Sequence, residues 1–358
     1  MPTHPRHRSR RRRLAVTALV PALALLTACS SGVSSAAGDL ALSAALPTKV
    51  PKNTKLVVGD PQTQVALELS GEIKKFSFPV KFANISGGPQ TTEAFRANAL
   101  DVGSVADIPP IHATWTGLKV KIVAAKYREK PLDHPIYQIG VAPGAKVKTL
   151  ADLKGKKIAY SPGQAQGALV LRILQKAGLT QKDVKLVELP STGDVYANAL
   201  VSKQVDVAPL GGVYVKRYLA KYGKDGGITI EHGIRDDPSH LYVLQSSLAN
   251  PAKAAAIREY VQHWAVAQRW IDKHPKAWLA GYYVKDQGLS AEDGKWLIDN
   301  ASHPVIPNDW SQHIADHQKT IDLLAKEEGH TKLKAATLWD RRFEKVGGDA
   351  YAAAGATS

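Results

Sequence analysis

Asp101-Val102-Gly103-Ser104-Val105-Ala106-Asp107-Ile108-Pro109-Pro110-Ile111 runs from a short apolar strand straight into a helix start. The valines around Gly103 suit a buried strand, and the paired prolines suit a first helical turn, where no amide partner is required. Asp107 stands where an N-cap stands, and the amides beyond Ala106 are left to meet an anion. A strand handing over to a helix in this way is half of a βαβ unit. Its loop falls at the carboxyl edge of a parallel sheet, where open α/β sheets bind ligands.

Outward from this junction the rhythm repeats. Lys55 to Val58, Val80 to Ile85 and Val120 to Ala125 read as strands, with helices over Thr63 to Ser70 and Pro89 to Ala99. A second set follows Ala142-Pro143-Gly144: strands at Lys157 to Tyr160, Val184 to Glu188 and Val205 to Pro209, with helices near Gln164 to Ala177, Thr192 to Lys203 and Tyr214 to Lys221. From Ile228 the pattern gives one more strand pair, with Leu241 to Gln245 as its second member. After Asn250 it is helical through Lys326, with Ile257, Tyr260, Val261, Trp264 and Ala267 at helical spacing. The fold class is α/β.

Three further junctions match the first: Gly59-Asp60-Pro61-Gln62, Ser86-Gly87-Gly88-Pro89-Gln90 and Ser161-Pro162-Gly163-Gln164-Ala165-Gln166-Gly167. Each can present free N–H groups at a helix N-terminus, which attract an anion without Lys or Arg. Singly, each is equally a well-capped turn. Glycine-rich junctions in both halves of the chain point to a cleft between them.

The start of the chain sets the compartment. Six arginines lie between Arg6 and Arg13, and Leu14 to Leu26 is apolar apart from Thr17, the layout of an export signal and too short to span a bilayer. Leu26-Thr27-Ala28-Cys29 resembles a bacterial lipobox, which implies lipidation of Cys29, a signal peptide of residues 1–28 and anchoring on the extracytoplasmic face of the cell membrane. An ordinary secretory signal is the alternative, and the basic start leaves Sec and twin-arginine export both open. Residues 29–50, rich in Ser, Ala and Gly near their start, read as a flexible tether. Cys29 is the only cysteine, which excludes intrachain disulfides and thiol catalysis. Of the formal charge of +15, six units are leader arginines, leaving +9 from Cys29 onward. Lys146, Lys148, Lys154, Lys156 and Lys157 cluster without interleaved aromatics and read as a solvated rim, so no nucleic-acid partner is expected.

Gly87-Gly88-Pro89-Gln90 through Ala99 to Ile111 resembles the solute-binding proteins of aliphatic-sulfonate ABC importers, within the wider nitrate, sulfonate and taurine group. Thr149-Leu150-Ala151-Asp152-Leu153-Lys154-Gly155-Lys156-Lys157 and Leu171 to Leu179 are similar to that group's second lobe. The resemblance implies a two-lobed periplasmic-binding-protein-like fold of type II. Lobe 1 would comprise residues 51–142 and 236–345 with a helical C-terminal segment, lobe 2 residues 143–235, and residues 346–358 a disordered tail. Crossing strands are expected near Gln138 to Gly144 and His232 to His240. The implied partners are a small organic anion, a permease and its ATPase subunits, with the binder acting as a monomer and without a cofactor. Carried onto matching positions, the ligand would meet Gln62, Gly88, Ser104, Ala106 and Asp107 from lobe 1, and Gly163, Gln164, Gln166, Leu210 and Gly211 from lobe 2.

The chain departs from the sulfonate pattern inside the cleft. Gln164, Ala165, Gln166 and Gly167 replace small hydroxyl residues ending in histidine, and Pro209-Leu210-Gly211-Gly212 replaces an aromatic step. A roomier, less aromatic pocket is the expectation, with a ligand larger than a short alkanesulfonate. Asp60 replaces a commonly uncharged or aromatic residue and either pairs with a ligand amine or faces solvent in its turn. The other readings are a taurine-like, nitrate or thiamin-precursor-like ligand, a sensing lipoprotein and an enzyme. For catalysis the chain offers little: the cysteine-rich motif of the related thiamin-precursor enzyme is missing, His313 and His317 lack the metalloprotease glutamate and read as a solvated helix face, and no Gly-x-Ser-x-Gly or phosphate-binding loop occurs. No metal ligand or catalytic residue is assigned.

Overall fold

The structure, a computed structural model, describes residues 39–356. The leader, Cys29 and the first part of the expected tether lie outside the described residues. Among the described residues no helix is long and apolar enough to cross a membrane.

Eleven strands among the described residues form two sheets. The first contains β1 (Leu56–Gly59), β2 (Val80–Phe82), β3 (Val102–Ala106), β4 (Val120–Arg128), β10 (Ser239–Leu244) and β11 (Pro304–Val305), in the order β11-β4-β10-β3-β1-β2. The second contains β5 (Tyr137–Val141), β6 (Lys157–Tyr160), β7 (Lys185–Glu188), β8 (Val207–Gly211) and β9 (Ile228–Ile230), in the order β7-β6-β8-β5-β9. Within each sheet the βαβ strands run parallel; β10 enters antiparallel between β3 and β4, β11 pairs antiparallel on the outer edge of β4, and β5 lies antiparallel between β8 and β9. The chain therefore leaves the first sheet after β4, builds the second, and returns as β10. This is the two-lobed α/β architecture expected.

The helices are α1 (Pro61–Ser70), α2 (Gly88–Arg96), α3 (Ile108–Trp115), α4 (Ala165–Lys176), α5 (Val195–Val201), α6 (Val213–Tyr222), α7 (Gln245–Ala249), α8 (Pro251–Lys273), α9 (Pro275–Trp278), α10 (Ala291–Asp299), α11 (Ser311–Glu328) and α12 (Glu344–Ala356). The apolar stripe read over Ile257 to Ala267 is the buried face of α8, which packs on α1 and α12 in the core of the first lobe. In the second lobe, two apolar clusters form around Leu169 and Ile173 on one side and Leu200 and Tyr218 on the other. Gly167 carries no Cβ where α4 begins: an added one would stand 2.1 Å from the Ser161 carbonyl oxygen, so only glycine lets the loop turn this tightly.

Several expectations change. The crossings run over residues 129–136 and 231–238, so the first comes earlier than Gln138 and β5 belongs to the second lobe. β9 and β10 lie in different sheets and are the two ends of the second crossing, not a strand pair. Residues 344–356 are a helix whose Tyr351 is buried, where a disordered tail is expected over residues 346–358; alanine is the best helix former, and α8 supplies the packing. From residue 39 the expected tether already lies on the body: Leu40 N–H donates to Ala249 at 2.6 Å, and Arg342 donates to the Ala41 and Ala44 carbonyls.

Candidate functional site

Period-two geometry places Lys126 and Arg128 on one face at the carboxyl end of β4 and turns Tyr127 away between them. Both cations open onto a cavity of about 480 Å³ lined also by Gln62, Gln268, Trp278 and Tyr283. Lys126 Nζ donates to Gln268 Oε1 at 2.8 Å. Arg128 is held by both crossings: its backbone N–H donates to Asp237 of the second, and its Nη1 donates to the His134 carbonyl of the first at 2.6 Å. Burial pushes the Lys126 ammonium down from its ordinary pKa while Asp60 pulls it back up, and burial also lowers Arg128. An anion entering this recess would meet Lys126 and Arg128, while Asp237 and Asp272, which also line it, are paired with Arg235 and with Arg269 and His303.

Asp60 stands beneath this recess and does not face solvent. It caps α1, its Oδ1 accepting from the Thr63 amide at 3.1 Å, and its Oδ2 has no aligned partner. Burial raises its carboxyl pKa against the opposing pull of Thr63, Lys126 and Ser104. Asp60 thus feels the charge of Lys126 and does not line the cavity.

Across Ile136, which borders both, a cavity of about 220 Å³ on the second lobe is lined by Tyr137, Gln166, Ser191, Tyr196, Leu210 and Gly211. Tyr196 donates its hydroxyl to Ser161 at 3.0 Å, which fixes the ring beside Gln166. Gly211 lies against the Tyr137 ring, where an added Cβ would come within 2.8 Å.

Of the ten expected ligand-contacting residues, Gln62 lines the first cavity, and Gln166, Leu210 and Gly211 line the second. Gly88, Asp107 and Gly163 gather at a closed lobe-to-lobe contact: a Cβ on Gly88 would lie 3.6 Å from the Gly163 oxygen, and one on Gly163 would lie 3.5 Å from the His112 ring. Asp107 begins α3, as expected, but makes no side-chain cap; its Oδ2 accepts from Arg172 Nη2 of α4 at 2.7 Å. It lines a third cavity of about 430 Å³, with Arg172, Arg235 and His313. Ser104, Ala106 and Gln164 line none of these three cavities. His317, expected on a solvated face, is buried, with its Nε2 3.0 Å from the Asp107 carbonyl oxygen. His313 stacks on Tyr127 at 3.9 Å.

The pocket is not poor in aromatics. Trp278 and Tyr283 come from α9 and the π-helical segment Leu279–Asp286 that follows it, and supply rings that the glycine-rich loops lack. Sequence reading missed them because helical periodicity does not say which exposed-looking aromatics fold back over a distant strand end. It also missed Lys126 and Arg128, although two cations at alternate positions closing an apolar strand are a readable signal.

Residues 80–246 match the family model described as NMT1/THI5 like. A putative aliphatic sulfonates-binding protein of Escherichia coli (strain K12) is 37% identical over 106 residues, covering 30% of this chain and 32% of that protein. The matched segment thus spans about a third of that relative's length. Among solved structures, the periplasmic aliphatic sulphonate-binding protein SsuA of Escherichia coli superposes with a TM-score of 0.65 at 24% identity, over 79% of this chain and 91% of the other. The alkanesulfonate-binding protein SsuA of Xanthomonas axonopodis pv. citri, bound to MOPS, gives 0.65 at 20% identity, over 83% and 99%. At these identities the likeness establishes the fold, which is that of the periplasmic binding proteins.

Proposed function

We propose that this chain is an exported solute-binding protein, lipid-anchored through Cys29, that delivers a small organic anion to an ABC permease by closing its two lobes on it. The observation that carries the reading is the recess formed by Lys126 and Arg128, which opens at Ile136 towards the Gln166 and Tyr137 wall of the other lobe. A ligand touching both walls favours the closed state by its differential affinity, and that state is what a permease would recognise. Two cations beside aromatic rings suit an anionic head on an apolar body. The names of the matched relatives support a sulfonate as that head. The combined volume of the two cavities, and the MOPS-bound structural neighbour, favour a sulfonate larger than a short alkanesulfonate.

In this reading no bond is broken. Mass spectrometry of the compound that co-purifies with the chain, followed by a thermal-shift series of sulfonates graded by length with taurine and nitrate alongside, tests it. Stabilisation should grow from ethanesulfonate to the bulkier members as more apolar surface is buried, at about 25 cal/mol per Å². Turnover of the bound compound, or no response to any anion, would overturn the proposal.

A further inference from the structure

His112 of α3 converges with Glu328 and His330 at the end of α11. The Nε2 atoms of His112 and His330 lie 3.2 and 3.6 Å from the same carboxylate oxygen, Glu328 Oε2. His112 Nε2 and Glu328 Oε2 are both buried, and neither makes an aligned hydrogen bond. An ordinary imidazole–carboxylate pair would direct an N–H at an oxygen lone pair; here the two atoms are near each other without that alignment. Their spacing is that of a coordination edge. Two ligand atoms, each about 2.05 Å from a tetrahedral zinc ion, stand about 3.3 Å apart.

The surroundings hold the three groups in place. Glu328 Oε1 accepts from the Tyr160 hydroxyl at 2.8 Å, which leaves Oε2 turned to the histidines. Trp115 stacks on the His330 ring at 4.3 Å, meets His112 edge-on at 5.3 Å, and is itself tied through Nε1 to the Thr331 carbonyl at 2.9 Å. His330 is exposed, which leaves a route of entry.

We propose that His112, Glu328 and His330 bind a divalent cation of the zinc class, with a fourth position open to water. Two imidazoles and one carboxylate match zinc and its first-row neighbours, whereas calcium and magnesium take oxygen ligands. Tyr160, reaching from the second lobe, is a positioning residue that orients the carboxylate. The site is separate from the anion recess, which uses none of these residues.

The test is titration of the full chain, stripped with a chelator, with Co²⁺ and then Zn²⁺. A single saturable site should develop the intense visible absorption of four-coordinate cobalt, and zinc should displace it. His330→Ala, a surface change, and Glu328→Gln should each abolish that spectrum, while His274→Ala, an exposed imidazole elsewhere, should leave it intact. Tyr160→Phe should keep the spectrum and weaken binding by roughly 10–100-fold. Absence of saturable binding in the wild type, or binding unchanged in His330→Ala with the fold intact by circular dichroism, would overturn the assignment.

Discussion

Arg172 of α4 donates from one Nη2 to Asp107 Oδ2 at 2.7 Å and to Thr320 Oγ1, so one guanidinium of the second lobe grips two elements of the first. Both members of the ion pair are largely buried, with side-chain exposures of 15% and 7%. Removing one partner leaves the other charge poorly solvated, which is where breaking such a pair costs most. Arg172→Gln should therefore open the lobes: the radius of gyration from X-ray scattering should rise, and anion affinity should fall by about tenfold, or ~1.4 kcal/mol. Unchanged scattering and affinity would mean that the grip does not set closure.

Lys126 gives a prediction with a sign in pH. Its protonated form attracts the anion, and burial has lowered its pKa from the ordinary 10.5. Affinity should therefore decline with rising pH before 10.5 is reached, as the ammonium loses its proton. Lys126→Met should weaken binding by at least tenfold, or about 1.5–3 kcal/mol for one charge-assisted hydrogen bond, and should flatten the alkaline limb. Calorimetry across the alkaline range reads both effects, and an equal decline in the variant would assign it to another group.

Gln166 faces the same space from the other lobe. Gln166→Ala should reduce affinity by about tenfold without changing thermal stability of the unliganded chain, since its side chain sits at a cavity wall. A loss of stability with no loss of affinity would make it a packing residue.

Asp293 of α10 accepts from Lys216 Nζ at 2.8 Å and from Arg217 Nη2 at 2.9 Å, both on α6 of the second lobe. Lys216 first, and Arg217 after it, hold the Asp293 carboxyl below its ordinary 3.8. A depressed acid stabilises above its unfolded value and loses that contribution as pH falls through its folded one. Asp293→Asn should therefore speed ligand release at neutral pH, and acidification below 3.8 should speed it in the wild type more than in the variant. Stopped-flow dissociation at both pH values decides it.

Cys29→Ala should move the chain from the detergent phase to the aqueous phase in a partition assay, with its circular dichroism unchanged. A variant still in the detergent phase would remove the lipid anchor from the proposal.

The βαβ rhythm was legible because strand and helix periods are local: Lys157 to Tyr160 was read to the residue, and the other strands expected as single elements to within a few. Contacts between distant segments were not. Asp107 looked like a cap because its neighbours are prolines, while Arg172, its partner 65 residues on, looked like one polar position on an amphipathic helix. Which strand enters a sheet out of order is likewise fixed by tertiary packing, and β10 between β3 and β4 carries no local sign of it. The cations of the recess were hidden for a further reason. The readable junctions are glycine-rich loops, whereas Lys126 and Arg128 sit on a strand.

Trp296 of α10 packs into the core of the second lobe, although α10 belongs to the helical segment that returns to the first. Two crossings alone make a hinge that swings freely; a third tie, set away from the hinge axis, makes a latch. A latched molecule spends little time open, so a ligand must wait for the rare opening and is then slow to leave. Capture slows, and the complex gains residence time in return. Under the proposed delivery role that trade is a useful one: capture is slower, but little of what is captured escapes before it is handed on.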